Sequence, residues 1–147
     1  MIVYICDDSK GDRIRLLHHI QRFAQENCLD FDVESFENGE SMLEKYKDAK
    51  EKPKILFLDI FMHGKDGIFI AQKLIELGCK NGIVFTTSSV DYALDAFKLN
   101  ADGYLHKPYT HEDFLVAMGR FDPLFSQQMK SITIYFNRAQ KKLYLSE

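Results

Sequence analysis

The strongest constraint on the fold is that five short apolar segments alternate with five segments of helical periodicity over the first 121 residues. Most of the connections between these segments are short. Such an alternation is typical of a parallel sheet whose crossover helices cover both faces. We therefore predict an α/β fold built on a doubly wound, five-stranded parallel sheet with five helices. The predicted strands are 2–6, 31–36, 54–59, 82–87 and 103–106.

Local signals mark where several predicted elements begin and end. Ser9 can cap the helix after the first strand, and residues 31–36 alternate apolar and polar side chains as a half-exposed edge strand does. Gly78 and Asn100 occupy positions suited to the ends of the third and fourth helices. Residues 110–113 have the form of a capping box, with aspartate in place of glutamate, that opens the fifth helix.

The pattern changes after residue 121. Asp122 and Pro123 are expected to break the fifth helix, and residues 131–147 have the pattern of two strands joined by a turn. A lone hairpin is marginally stable in water, so this tail either adds a sixth strand or, as we prefer, begins a second domain. We therefore divide the chain into an α/β domain over 1–121, a linker over 122–130 and a β-hairpin-like tail over 131–147.

Composition excludes several classes of protein. The 147 residues are 46% hydrophobic and 28% charged, and they contain no run of about 18 apolar residues that would span a membrane. The formal net charge of −3 argues against nucleic-acid binding by the chain as a whole. The three cysteines form no Cys-x-x-Cys pair or zinc pattern, and no signal peptide is predicted, so we expect a cytoplasmic protein.

Polar side chains follow four of the five predicted strands. Asp7 and Asp8 follow the first strand, Asp59 ends the third, residues 86–88 end the fourth, and Lys107 follows the fifth. Because the carboxyl ends of parallel strands meet at one edge of a sheet, we expect these side chains to lie together. Each of them alone has an ordinary structural explanation, as a helix cap, strand filler or surface charge. Their joint placement favours a functional site.

The chemistry of these residues is that of phosphoryl transfer. Three crowded carboxylates raise one another's pKa, and a divalent cation would relieve that repulsion. A set of oxygen ligands favours Mg²⁺. Lys107 could hold one phosphoryl oxygen and a threonine hydroxyl could donate to another, which leaves Asp59 as a nucleophile toward phosphorus.

Five short motifs lie at the predicted strand ends and in the loop after Asp59. They are Ile5-Cys6-Asp7-Asp8, Leu58-Asp59-Ile60-Phe61-Met62, Lys65-Asp66-Gly67, Phe85-Thr86-Thr87-Ser88 and Tyr104-Leu105-His106-Lys107-Pro108. Together they resemble the receiver domain of two-component response regulators over about residues 1–121. The resemblance implies a flavodoxin-like sheet with strand order 2-1-3-4-5. It also implies a stoichiometric phospho-acceptor, rather than an enzyme, whose partner is a sensor histidine kinase.

The resemblance assigns a role to each residue at the predicted site. Asp59 would be the phospho-acceptor. Mg²⁺ would be held by Asp8 and Asp59, with Asp7 acting through water and the backbone carbonyl of Phe61 completing the set. Lys107 would pair with the acyl phosphate.

The resemblance also implies a pair of switch residues, which we assign to Thr87 and Tyr104. Thr86 is the rival of Thr87 for the first role. We choose Thr87 because adjacent strand residues face opposite ways and because Ser88 fits the small residue that follows the switch hydroxyl in the family. The peptide bond of Lys107–Pro108 would be cis.

Two residues depart from the family pattern. His63 stands in the loop after the acceptor where the family often has proline, and we expect it to alter the stiffness of that loop. Phe61 puts an apolar side chain beside the phosphate. We hypothesise that Phe61 limits attack by water, permits at most slow autodephosphorylation and so prolongs the phosphorylated state.

Residues 91–105 resemble the receivers that are fused to LytTR-type DNA-binding domains, and the tail over 131–147 is similar to the first strands of such a domain. A complete domain of that type is much longer, so we expect most of it to be missing from this chain. The resemblance implies that DNA is contacted only through that domain. Homodimerisation through the fourth helix, fifth strand and fifth helix is a further hypothesis.

Three other functions fit the sequence less well. A metal-dependent phosphatase or phosphotransferase with an aspartate nucleophile typically has a second acid two residues later, where this chain has Phe61, which cannot transfer a proton. A flavodoxin-type cofactor binder would need a phosphate loop where Asp7 and Asp8 stand. A pseudo-receiver that signals only by binding is disfavoured by the complete set of acids, threonine and lysine.

Overall fold

The computed structural model describes residues 1–62, 66–80 and 82–126, in which strands and helices alternate as predicted. The elements are β1 (Ile2–Cys6), α1 (Lys10–Glu26), β2 (Asp32–Phe36), α2 (Gly39–Asp48), β3 (Ile55–Asp59), α3 (Gly67–Glu76), β4 (Ile83–Thr87), α4 (Ala93–Lys98), β5 (Gly103–His106) and α5 (His111–Gly119).

The five strands form one parallel sheet in the order β2-β1-β3-β4-β5, which confirms the predicted order 2-1-3-4-5. The chain moves from β1 outward to β2, returns to β3 and then continues to β5. The direction of winding therefore reverses between β1 and β3. In doubly wound sheets, ligands bind outside the carboxyl ends of the strands at this point of reversal.

Alternating side chains of the central strands build a core on each face of the sheet. Ile5 and Phe57 pack with residues of α1 and α5, whereas Leu56 and Leu58 pack on the other face with residues of α2 and α3. Burial of each such side chain contributes about 1.5–3 kcal/mol. All five residues of β3 are buried, so the carboxylate at its end is held in a fixed position.

The predicted element ends are confirmed. The Ser9 side chain accepts a backbone N–H in the first turn of α1. Gly78 and Asn100 lie after α3 and α4 with φ of +100° and +58°, in the left-handed region that glycine and asparagine tolerate best. Thr110 and Asp113 form the predicted capping box of α5.

The end of α5 differs from the expectation. The helix ends at Gly119, and residues 122–126 are helical again. Pro123 lies in the first turn of this segment, where a backbone N–H makes no hydrogen bond within the helix, so proline is tolerated. Phe125 is buried, and its ring lies 5.2 Å from that of Phe23 and 6.0 Å from that of Phe31. The packed core therefore continues four residues past 121.

The predicted hairpin over 131–147, residues 127–130 of the predicted linker and His63 lie outside the described residues. Over the ranges that the structure does describe, no helix combines the length and apolar character needed to cross a bilayer.

Candidate functional site

Residues from four strands meet at the carboxyl edge of the sheet. Asp7 directly follows β1, Asp59 and Thr87 are the last residues of β3 and β4, and Lys107 directly follows β5. These strands are parallel neighbours, so their last residues share one edge. Asp7, Asp59 and Thr87 are buried, and Lys107 is half-buried. The structure thus brings together the residues that the sequence analysis singled out.

Three carboxylates form a cluster at the ends of β1 and β3. Asp7, Asp8 and Asp59 each offer an oxygen, and these oxygens all lie within 4.8 Å of one another. Burial, followed by the charge of Asp7, raises the pKa of Asp59 from its ordinary value of 3.8 to about 7. Carboxylates this close repel one another, so a proton or a cation must balance part of their charge at neutral pH.

Lys107 brings positive charge into this cluster. Its Nζ lies 2.8 Å from Asp7 Oδ2 and 3.5 Å from Asp59 Oδ1. A further carboxylate, that of Asp12, also lies 2.8 Å from Nζ. Burial acts to lower the pKa of Lys107, but these three acids together raise it above its usual range, so the side chain stays protonated. The Lys107–Pro108 peptide bond is cis.

Asp7 is held by three contacts. Its Oδ1 accepts the Ser9 backbone N–H at 2.9 Å, and its Oδ2 accepts a hydrogen bond from Lys107 at 2.8 Å. Its backbone carbonyl accepts a hydrogen bond from Arg13 Nη1 at 2.7 Å. These contacts fix Asp7 relative to β1 and α1, and they join Asp7 to the lysine after β5.

The two threonines at the end of β4 are both buried but occupy different positions. Thr86 is the register partner of Asp59, so the two side chains lie on the same face of the sheet. Thr87 pairs instead with His106, and its backbone carbonyl accepts the Lys107 N–H at 2.7 Å. The register therefore places Thr86, and not Thr87, on the same face as Asp59, and the choice of Thr87 as the switch residue stays a prediction.

The predicted switch residues Thr87 and Tyr104 bind the same backbone residue, Ser89. Thr87 Oγ1 accepts the Ser89 N–H at 3.2 Å, and the Tyr104 hydroxyl donates to the Ser89 carbonyl at 2.5 Å. The half-buried Tyr104 ring packs against the core on the α2–α3 side of the sheet. Through Ser89, the loop after β4 therefore links the Thr87 hydroxyl at the end of β4 to the Tyr104 side chain on β5.

Phe61 lies two residues after Asp59, and 45% of its surface is exposed. Its ring meets that of Tyr92 edge to face, with the centroids 5.1 Å apart. Its backbone N–H donates to the Asp59 carboxylate, which lowers the pKa of Asp59 against the larger effects of burial and Asp7. The backbone of Phe61 therefore contacts the acid cluster, while its half-exposed ring packs against Tyr92.

Asp12 and Arg15, in the first turns of α1, were missed by the sequence analysis. Asp12 accepts a hydrogen bond from Lys107, and Arg15 Nη2 pairs with the other oxygen of Asp12. With Lys107 and Tyr109 they line a cavity of about 360 Å³ beside the acid cluster. The available signal was their position, because α1 begins where β1 ends and its first turns share that edge of the sheet.

The donor set suits a hard divalent cation. Carboxylate oxygens are ligands that Mg²⁺ prefers, and it commonly takes one or two of them together with water. Asp7, Asp8 and Asp59 offer three such groups, and the raised pKa of Asp59 reflects the excess negative charge that a cation would balance. The residues present therefore fit a magnesium-type site.

Comparison with known families matches residues 3–118 to the response regulator receiver domain. The chain is 37% identical over 120 residues to the sensory transduction protein LytT of Oceanobacillus iheyensis, a match that covers 80% of this chain and 46% of that protein. It is 33% identical over 133 residues to the positive alginate biosynthesis regulatory protein of Pseudomonas aeruginosa, covering 90% of this chain and 52% of that protein. The chain thus spans about half the length of these curated relatives.

Solved structures show the same fold. The response regulatory domain of protein mrkE from Klebsiella pneumoniae superposes with a TM-score of 0.74 at 26% identity, covering 86% of this chain and 99% of that one. The chemotaxis protein CheY4 of Vibrio cholerae superposes with a TM-score of 0.64 at 22% identity, covering 81% and 96%.

Proposed function

The chain belongs to the response regulator receiver family and is related to LytT-type regulators, and from this premise we propose that Asp59 accepts a phosphoryl group from the phosphohistidine of a sensor kinase. One observation carries the proposal. The buried Asp59 carboxylate has two further acids within 4.8 Å and a lysine ammonium 3.5 Å away. This set supplies a nucleophile, a cation site and a positive charge for the phosphoryl oxygens.

In the transfer step, an oxygen of Asp59 forms a bond to phosphorus while the N–P bond of the donor breaks. The electron pair of the broken bond stays on the imidazole nitrogen. Lys107, whose Nζ lies 3.5 Å from Asp59, donates a charge-assisted hydrogen bond to a phosphoryl oxygen. Asp7 keeps the lysine oriented through the 2.8 Å contact between Nζ and Oδ2.

Asp8 and Asp59 would hold Mg²⁺ directly, with Asp7 acting through water and the Phe61 backbone carbonyl completing the set. When bound, the ion neutralises charge on the acids and on the phosphoryl oxygens. Asp59 must be ionised to attack phosphorus, and its pKa of about 7 leaves a large protonated fraction at neutral pH in the metal-free protein. Phosphoryl transfer should therefore depend strongly on the divalent cation.

We assign the readout to Thr87 and Tyr104. A Thr87 hydroxyl drawn toward the phosphoryl group would give up its 3.2 Å contact with the Ser89 N–H. The Ser89 carbonyl accepts the Tyr104 hydroxyl, so a shift of Ser89 would release Tyr104 to rotate. A small change at the acid cluster would in this way repack the loop between β4 and α4.

The repacked surface is formed by α4, β5 and α5, and it is the surface through which we propose homodimerisation. Leu94 and Phe97 of α4 and Val116 of α5 are largely exposed. Exposed apolar side chains of this size support a role in contacts with another protein. An output domain of LytTR type, beginning in residues 131–147, would carry the response to DNA.

Receiver domains of this family act as phospho-acceptors rather than as enzymes. We propose that Phe61 slows autodephosphorylation further, because its apolar side chain can neither accept nor donate a proton to an attacking water molecule. The backbone hydrogen bond from Phe61 to the Asp59 carboxylate and the partial exposure of the ring support this role.

The test is incubation with a small-molecule phosphodonor, with and without Mg²⁺, followed by intact mass. The wild-type protein should gain one phosphoryl group in the presence of Mg²⁺, and the Asp59→Asn variant should gain none. No gain in the wild-type protein, or an equal gain in the variant, contradicts the proposal.

A further inference from the structure

The first turn of α1 carries an acid that the proposed transfer step does not use. Asp12 Oδ2 lies 2.8 Å from Lys107 Nζ, as close as the oxygen of Asp7. The nearest oxygen of Asp59 lies 3.5 Å away. Lys107 therefore lies closer to Asp12 than to Asp59, whose phosphoryl group it is proposed to bind.

Helix capping does not account for the position of Asp12. Ser9 and Asp12 have the spacing of a capping box, as do Thr110 and Asp113. In α5 the box is closed, because Asp113 Oδ2 accepts the Thr110 N–H at 3.0 Å. In α1 the corresponding N–H of Ser9 donates to Asp7 Oδ1 at 2.9 Å instead. The Asp12 carboxylate is thereby left to bind side chains.

Arg15 shares this carboxylate with Lys107. Its Nη2 pairs with Asp12 Oδ1, while Lys107 binds Oδ2. The Arg15 side chain is 69% exposed, so it approaches Asp12 from the solvent side. The Lys107 side chain is 17% exposed, so it approaches Asp12 from the side of the acid cluster. Burial acts to raise the pKa of Asp12, but Lys107 and Arg15 together lower it, which keeps the carboxylate ionised.

We infer that Asp12 is a positioning residue that restrains Lys107 in the unphosphorylated protein, and that Arg15 weakens this restraint. The inference rests on the proposed role of Lys107 as the cation for the phosphoryl group. A phosphoryl group on Asp59 must draw the ammonium group away from Asp12. The restraint therefore lowers the affinity of the site for a phosphoryl group, and removing Asp12 should raise it.

Beryllofluoride, a mimic of the phosphoryl group, provides the test at a fixed Mg²⁺ concentration. The Asp12→Asn variant should bind it about fivefold more tightly than the wild-type protein, an effect at the upper end for one partly exposed ion pair. The Arg15→Gln variant should bind it more weakly, because Asp12 then has only Lys107 to pair with. Asp113→Asn, the matched acid in the capping box of α5, should leave the affinity unchanged.

A double-mutant cycle separates positioning from a general charge effect. In a Lys107→Gln background, Asp12→Asn should leave the affinity for beryllofluoride unchanged. The ¹⁵N resonance of the Lys107 ammonium group should also move in the metal-free Asp12→Asn variant and not in Asp113→Asn. This second readout does not depend on phosphorylation or on metal.

The outcomes distinguish this inference from the proposed function. A wild-type protein that binds no beryllofluoride contradicts the phospho-acceptor function itself. A wild-type protein that binds it, with no gain in Asp12→Asn or with the same gain in the Lys107→Gln background, overturns the restraint by Asp12 alone.

Discussion

Replacing Asp59 by asparagine should stabilise the metal-free protein at pH 8. The pKa of Asp59 is raised from 3.8 to about 7, first by burial and then by the charge of Asp7. Each pKa unit corresponds to about 1.4 kcal/mol, so ionising Asp59 in the folded protein costs about 4 kcal/mol more than in the unfolded chain. Asparagine carries no charge but weakens the contact with Lys107. We therefore expect a net gain of about 2–4 kcal/mol in the free energy of unfolding.

The sign of the pH dependence follows from the same shift. The unfolded chain releases the Asp59 proton near pH 4, and the folded protein retains it until about pH 7. The contribution of Asp59 to stability is therefore fully present below pH 4 and is lost as the pH rises through 7. Because asparagine does not titrate, the advantage of the Asp59→Asn variant should grow as the pH rises from 5 to 8.

Urea denaturation in a metal chelator, at pH values from 5 to 8, measures this difference. The chain has no tryptophan, so unfolding is followed by circular dichroism. The matched control is Asp32→Asn, which replaces an exposed acid on the edge strand β2 and should change the free energy of unfolding only slightly. Added Mg²⁺ at 100 times its dissociation constant should stabilise the wild-type protein by about 2.7 kcal/mol and the Asp59→Asn variant by much less. An Asp59→Asn variant that is less stable than wild type at pH 8, or whose advantage is constant with pH, would show that ionisation of Asp59 does not destabilise the metal-free protein.

Three further substitutions test other parts of the site. Phe61→Asn should shorten the lifetime of the phosphoryl group several-fold, measured by loss of the phosphorylated mass with time, and an unchanged lifetime contradicts the role of Phe61. Thr87→Ala should uncouple phosphorylation from the Tyr104 movement seen by NMR and slow phosphorylation about tenfold, the effect of one hydrogen bond to a charged group, whereas Thr86→Ala should do neither. The reverse result would move the switch role to Thr86. Gly67→Ala should destabilise the protein by about 1–3 kcal/mol in urea denaturation, because its Cβ would lie 2.2 Å from the Asp59 carbonyl oxygen, and a neutral effect would show that α3 can shift freely.

The sheet could be predicted from the sequence because each strand is a continuous or alternating apolar segment. The run that ends in Asp59 is buried throughout, and the alternating run over 31–36 forms the half-exposed edge, as their patterns indicated. The strand ends then determine which polar residues meet, because parallel strands share a carboxyl edge. Local patterns therefore predicted the position of Asp59 and Lys107 in space.

Other features depend on competition that a linear pattern does not show. Asp12 has the spacing of a capping acid, and only the contact between Ser9 and Asp7 leaves its carboxylate available to Lys107. Phe125 lies beyond the end of α5 and two residues after a proline. Its ring nevertheless completes an aromatic cluster with residues of α1 and the loop before β2. Neither the contact between Asp12 and Lys107 nor the packing of Phe125 can be predicted from the periodicity of a single segment.

The position of the acyl phosphate is the most direct test of the central claim. After reaction with a phosphodonor and Mg²⁺, borohydride reduces an aspartyl phosphate to homoserine, and tandem mass spectrometry identifies the residue that has changed. Homoserine is expected at position 59 alone, and none is expected in a sample prepared without the phosphodonor. Homoserine at Asp7, Asp8 or Asp12, or at no residue of a protein that has gained the phosphoryl mass, would contradict the central claim.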